Sequence, residues 1–132
     1  MVGIVLVSHS EKLVEGLAEL LAQLSSTSVP LAYAGGAASG DLGTSADKIA
    51  VALRQVYSDD GVIVLLDMGS AVLSAEVAIE GLSNEQQQRV KMSDAPLVEG
   101  AVLAVIHAAM GQSLAQIMEA VEAARNMPKN IG

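Results

Sequence analysis

Two short runs of the chain are apolar without interruption by charge, VGIVLV at the amino terminus and VIVLL near the middle, and each leads into a stretch with helical periodicity. A strand with one wet face alternates apolar and polar residues. A continuous apolar run of this length suits a strand buried on both faces, as in a parallel sheet covered by helices. After Val2 to Val7, the residues Leu13, Val14, Leu17, Leu20, Leu21 and Leu24 recur at helical spacing, with Glu11, Lys12, Glu15, Glu19 and Gln23 on the other side. Ser8 to Glu11 has the form of a capping box, with Ser10 as the alternative cap.

The same alternation continues. Val29 to Ala34 reads as a second strand, followed by the glycine-rich GGAASGDLGTSADK. Thr44-x-x-Asp47 in that stretch reads as a helix start, with Ile49, Leu53 and Val56 on the buried stripe. VIVLL is the third strand and ends at Asp67, DMGSA turns the chain, and a helix runs from about Ser70 to near Gly81. SNEQQQ is a polar stretch before a short strand, Arg89 to Met92, and two helices follow, split by Gly111-Gln112. Leu114, Ile117, Met118 and Val121 mark the second of them. With no internal repeat or linker, the pattern is a single α/β domain over residues 1–132: three layers, α/β/α, around a mainly parallel sheet of four or five strands with right-handed crossovers.

Composition narrows the function classes. The chain of 132 residues is 52% hydrophobic but only 2% aromatic, so its core is aliphatic. A formal charge of -8 leaves no basic stripe for a nucleic-acid backbone. The absence of cysteine removes disulfides, thiolate catalysis and thiolate metal sites. The first apolar run lacks basic residues before it and a small-residue cleavage site after it, and Ala101 to Met110 is far shorter than the roughly 20 residues of a membrane helix. A cytoplasmic protein with no membrane partner is expected.

In open parallel sheets, ligands bind at the carboxyl ends of strands where the strand order reverses. If the first strand lies between the second and third, His9 and Asp67 face each other across that crevice. A carboxylate fixes one ring N–H of an imidazole, leaves the other nitrogen as a nucleophile, and stabilises the positive charge that forms on reaction. The turns at Ser8 to Ser10 and at Gly69-Ser70 would aim backbone N–H groups at the same place, making Ser8, Ser10, Gly69 and Ser70 the candidate phosphate-binding residues. Such a combination suits carrying a phosphoryl group; if it passes that group between proteins, Met68 and the glycine-rich loop, with Gly36, Gly43 and Thr44, are the expected docking elements.

Plainer readings stand beside these. His9 also suits a structural role at a helix start, and Asp67 also suits a helix cap. The glycine-rich loop has neither a GxGxxG pattern nor a P-loop lysine, and no GxSxG elbow supports a nucleophile at Ser8 or Ser10. His107 lies in an apolar helical run and reads as packing or surface, and two histidines so far apart give no metal-ligand spacing. The reading therefore calls for no metal and no cofactor.

The blocks VSHSEKLVEG, AGGAASGDLGTSADKI, VLLDMGSAVLSAE and VKMSDAPLVEGA, in that order over most of the chain, resemble the DhaM phosphotransferase subunits of bacterial phosphoenolpyruvate-dependent dihydroxyacetone kinases. The resemblance implies a fold like the mannose-type IIA domains of the sugar phosphotransferase system, and a tele-phosphohistidine intermediate at His9. It implies a phosphoryl donor, HPr, expected to be a separate protein because the chain ends at residue 132. The implied acceptor is ADP held in the subunit DhaL, which regenerates ATP for dihydroxyacetone bound in DhaK, and a homodimer is the implied assembly. The polar tail NMPKNIG leaves open whether an extra carboxyl-terminal strand is exchanged between subunits. Two other readings remain: a IIA domain feeding a sugar permease, for which Thr-His-Gly and Gly-Gly-Ser-Pro would be expected in place of SHS and DMGSA, and a flavodoxin-like binding module in which His9 is inert.

Overall fold

A computed structural model describes residues 1–25 and 27–131 of the chain. Four strands, β1 (Gly3–Ser8), β2 (Leu31–Gly35), β3 (Val62–Leu66) and β4 (Val90–Ser93), pair in the order β2-β1-β3-β4, all parallel. The described residues also form six α-helices, α1 (Glu11–Ala22), α2 (Ala46–Val56), α3 (Val72–Glu80), the short α4 (Asn84–Gln87), α5 (Leu97–Ala109) and α6 (Leu114–Glu122).

The pleat divides the apolar runs between two cores. Ile4 and Leu6 of β1, with Ile63 and Leu65 of β3, pack against Val14, Leu17 and Leu21 of α1 and against α5 and α6. Val5 and Val7, with Val62, Val64 and Leu66, point the other way, onto Ile49, Leu53 and Val56 of α2 and onto α3. Every residue of β1 and β3 is buried, which is why neither run shows polar alternation. The expected three-layer α/β/α architecture is thus present, with a sheet of four strands among the described residues; residues 127–131 form no strand.

The strand order carries the functional consequence. The connection through α1 leads from β1 to β2 on one side, and the chain then returns past β1 to place β3 on its other side. The order reverses between β1 and β3, so the carboxyl ends of these two strands flank the crevice.

Local boundaries differ from the sequence reading where hydroxyls and a proline decide them. The second strand begins at Leu31 because Pro30 has no N–H for the ladder, although its carbonyl accepts from Ile4 N at 2.9 Å. The fourth begins at Val90 and extends to Ser93, and a one-turn 3-10 helix, Gly69–Ala71, precedes α3. SNEQQQ contains α4, closed by a capping box between Ser83 and Gln86. Of the two candidate caps for α1, Ser10 is the one used, accepting from Leu13 N at 3.2 Å. For α2 the cap is Ser45 rather than Thr44, because the Thr44 hydroxyl is paired with Ser74. On α1 the apolar stripe is wider than the buried face, leaving Leu13, Leu20 and Leu24 exposed.

Candidate functional site

His9 follows the last residue of β1 and Asp67 the last residue of β3. Because Val7 pairs with Leu66 in the parallel register, and Asp67 N donates to Val7 O at 3.0 Å, the two strand ends leave the sheet side by side. The His9 ring meets the carboxylate there, with Nδ1 2.9 Å from Oδ1 of Asp67. The second carboxylate oxygen is held as well: Oδ2 accepts from the His9 backbone N–H at 2.9 Å and from the Ser8 hydroxyl at 3.0 Å.

This arrangement fixes the chemistry of the ring. A carboxylate can only accept, so the neutral imidazole carries its proton on Nδ1 and presents a lone pair at Nε2. Nε2 lies 2.8 Å from the hydroxyl of Ser70, which donates to it. Burial of Asp67 works against its ionisation, but the backbone N–H of His9, its ring and the Ser8 hydroxyl outweigh that effect and hold the carboxyl below its ordinary value of 3.8. The carboxylate is more shielded than the ring, with side-chain exposures of 12% and 22%, so the imidazole is the more accessible of the two groups.

The loop after β2 braces this pair from below. Gly36 N donates to Ser8 O at 3.2 Å, and Gly43 N donates to His9 O at 2.9 Å. Gly36 reaches its position with φ of +79°, a conformation that a side chain opposes. At the far end of the loop, Thr44 Oγ1 lies 2.6 Å from Ser74 Oγ of α3, so the segment that holds the His9 backbone is also fastened to the helix that follows Ser70. Within the docking set expected from sequence, Met68 is exposed, Gly36 is buried, and Gly43 and Thr44 are half-buried. Leu42, 80% exposed at the tip of the same loop, offers apolar surface that the sequence reading did not single out.

The four expected phosphate ligands separate into two pairs. Gly69 and Ser70 are exposed at the start of the 3-10 turn, where Met68 occupies the cap position without a side-chain cap bond, leaving the first N–H groups of the turn to solvent or an anion. Ser8 is different. It is fully buried, and its hydroxyl is committed to Asp67 and to Ser10 N, so it stands behind the carboxylate and not in front of the ring. The Ser10 hydroxyl is engaged in capping α1. His107 sits in the last turn of α5, at the end away from the carboxyl terminus of β4, with Nδ1 2.8 Å from Gln112 Oε1.

On the β4 side of Asp67 lies a cleft of about 710 Å³, walled by Leu66, Met68, Val72, Met92, Pro96 and Arg125. The ring of His9 is not part of its lining. Asp67 lines the cleft and also holds the ring, so the cleft and the imidazole lie on either side of one carboxylate.

Comparison with known proteins gives the family. A family model described as EIIA-man, PTS system fructose IIA component, matches residues 3–118. A protein of Listeria innocua named "PEP-dependent dihydroxyacetone kinase 2, phosphoryl donor subunit DhaM" is 39% identical, over 90% of this chain and 95% of its own length. A subunit of the same name type from Escherichia coli is 43% identical over 95% of this chain, which spans only 28% of that longer protein. The Lactococcus lactis "PTS-dependent dihydroxyacetone kinase, phosphotransferase subunit DhaM" is 30% identical over 91% of this chain and 93% of its own length. Among solved structures, a phosphotransferase system component EIIA from Streptococcus agalactiae superposes with a TM-score of 0.70 at 17% identity, over 96% of this chain and 93% of that one, a likeness of fold.

Proposed function

The chain belongs to the EIIA-man family, among relatives named as DhaM subunits, and on that premise we propose that it is a phosphohistidine carrier which takes a phosphoryl group on Nε2 of His9. The donor is HPr, and the acceptor is ADP bound in DhaL, through which dihydroxyacetone in DhaK is phosphorylated. It acts in the cytoplasm as a homodimer, with residues 1–132 forming one EIIA domain. No helix among the described residues is long and apolar enough to cross a membrane.

The observation that carries this reading is the division of labour on one ring: Nδ1 is tied to Asp67 while Nε2 faces outward at the end of β1. In the transfer, the Nε2 lone pair forms the bond to phosphorus as the bond to the donor's nitrogen breaks, and the ring keeps its Nδ1 proton. The positive charge that develops on the imidazole is stabilised by the Asp67 carboxylate. As phosphorus arrives, the Ser70 hydroxyl leaves the lone pair and donates to a phosphoryl oxygen, joined by the N–H groups of Gly69 and Ser70. Ser70 Oγ stands 2.8 Å from Nε2, where phosphorus is to come, so the hydroxyl has to swing aside before it can serve as a ligand.

Both partners must reach the same nitrogen, so they share one face and bind in turn. The exposed Met68 and Leu42 give that face its apolar contacts, while Gly36 and Gly43 tie the loop to the backbone of Ser8 and His9 and Thr44 ties it to Ser74. Such exchange suits small, transient interfaces. The test is reconstitution: with phosphoenolpyruvate and the general donor proteins, the protein should gain acid-labile phosphate and then yield ATP when the ADP-loaded acceptor subunit is added. Failure to take up phosphate, or phosphate that never reaches ADP, counts against the reading.

A further inference from the structure

Two buried serines end strands of this sheet in the same manner. Ser8 ends β1 and accepts from the N–H of Ser10 at 3.0 Å, and Ser93 ends β4 and accepts from the N–H of Ala95 at 3.2 Å. Each then donates its hydroxyl hydrogen bond to a carboxylate: Ser8 to Asp67 Oδ2 at 3.0 Å, and Ser93 to Glu122 Oε1 at 3.0 Å. The two serines are 0% and 1% exposed. They differ in what the carboxylate does next, because Asp67 holds the imidazole of His9 and Glu122 holds Arg125.

We infer that Ser8 is a positioning residue for the transfer at His9: its hydroxyl locks the Asp67 carboxylate in the orientation that keeps the ring proton on Nδ1. The inference rests on the reading of His9 as the phosphoryl acceptor. Its direction of bonding is forced. A backbone N–H can only donate, so the Ser8 oxygen accepts from Ser10, and its hydrogen is left pointing at a carboxylate that can only accept. Oδ2 of Asp67 then has two donors, Ser8 Oγ and His9 N, and the carboxylate cannot rotate without releasing both. Oδ1 is thereby aimed at Nδ1.

The sheet itself produces the meeting. Alternation places Ser8 on the side of Ile4 and Leu6, and Asp67 on the side of Ile63 and Leu65, which is the same face of neighbouring strands. A residue lacking a hydroxyl would fill the site as a small apolar side chain, but it would leave Oδ2 held by the His9 N–H alone and the carboxylate less firmly oriented. The ring would then sample the other tautomer, in which Nε2 carries the proton and cannot attack phosphorus.

The test compares Ser8→Ala with Ser93→Ala, which removes the equivalent hydrogen bonds from a buried strand-end serine outside the site. In Ser8→Ala the limiting rate of phosphate uptake should fall roughly 10- to 100-fold, the cost of one hydrogen bond to a charged group, while the half-saturating donor concentration stays near that of the wild type. Nitrogen NMR of the His9 ring should show proton occupancy moving from Nδ1 towards Nε2, and Ser8→Thr should restore both readouts. Ser93→Ala should lose comparable stability with neither change. Unaltered ring shifts and uptake in Ser8→Ala, or the same changes in Ser93→Ala, overturn the inference. The ring measurement needs no phosphate, so it decides the role of Ser8 even if wild-type protein proves not to be a carrier. If Ser8→Ala fails to fold, Ser8→Cys, with a side chain of similar shape and a weak donor, is measured in its place.

Discussion

The hydroxyl of Ser70 lies 2.8 Å from Nε2 of His9, so the nitrogen that Asp67 leaves free is occupied at rest by a group that must step aside for phosphorus. At rest this bond satisfies the lone pair; after transfer the same hydroxyl is near enough to donate to the new anion. Ser70→Ala should therefore slow uptake roughly 10- to 100-fold, the worth of one hydrogen bond to a charged group, and shorten the life of the phosphorylated form. Quenched-flow uptake and the decay of isolated phosphoprotein measure the two effects. A rate equal to the wild type in both would show that the contact is incidental.

Asp67→Asn tests the other side of the ring. An amide can offer N–H to Nδ1 and so favour the tautomer with its proton on Nε2, and it supplies no charge to the imidazolium. In a Ser-His-Asp triad the comparable change costs about 10⁴ in rate with geometry intact. A loss of several powers of ten is expected here, with folding retained by circular dichroism. An unchanged rate would leave Asp67 as a structural residue alone.

The same carboxylate links stability to acid. Its pKa is held below 3.8 in the folded protein, with burial opposing and the bonds from His9 and Ser8 prevailing. A depressed carboxyl stabilises the fold above its unfolded value, and that contribution is lost as pH falls through the folded one. Denaturant titrations should thus show wild type losing stability below the ordinary carboxylate value more steeply than Asp67→Asn does. Parallel losses would mean that the carboxyl is not depressed.

Gly35 closes the end of β2 against the start of α1. A Cβ there would lie 2.6 Å from Glu11 Cα and 2.8 Å from Ser10 O, both backbone atoms with no room to give. Gly35→Ala should cost about 1–3 kcal/mol by overpacking, read from the denaturant midpoint. It should also slow phosphate uptake, because the backbone it displaces is the turn that carries His9. A stable and fully active variant would show that this approach is looser than the geometry requires.

The sheet and the His9–Asp67 pair were legible in the sequence for the same reason. Uninterrupted runs such as Val62 to Leu66 suit strands buried on both faces, and the rule of the reversing strand order then brings their ends together. The roles of neighbouring hydroxyls were not legible. Ser8 and Ser10, and likewise Thr44 and Ser45, stand close together before a helix, and which one caps depends on how the chain leaves the sheet. Ser8 was expected near phosphate and is instead buried behind Asp67, since the pleat turns it towards the Ile4 side. The exposure of Leu13, Leu20 and Leu24 was hidden too, because periodicity marks an apolar stripe but not how much of it the neighbouring layer covers.

The placement of the phosphoryl group on one atom is the point on which the mechanism stands. Protein labelled with ¹⁵N in its histidines, charged by phosphoenolpyruvate and the general donor proteins, can be read by phosphorus–nitrogen coupling. The predicted result is a single N–P bond at Nε2 of His9, with Nδ1 still protonated and His9→Ala devoid of phosphate. Phosphate bonded to Nδ1 of His9, to His107, or to an oxygen of Asp67 or Ser70 would contradict it.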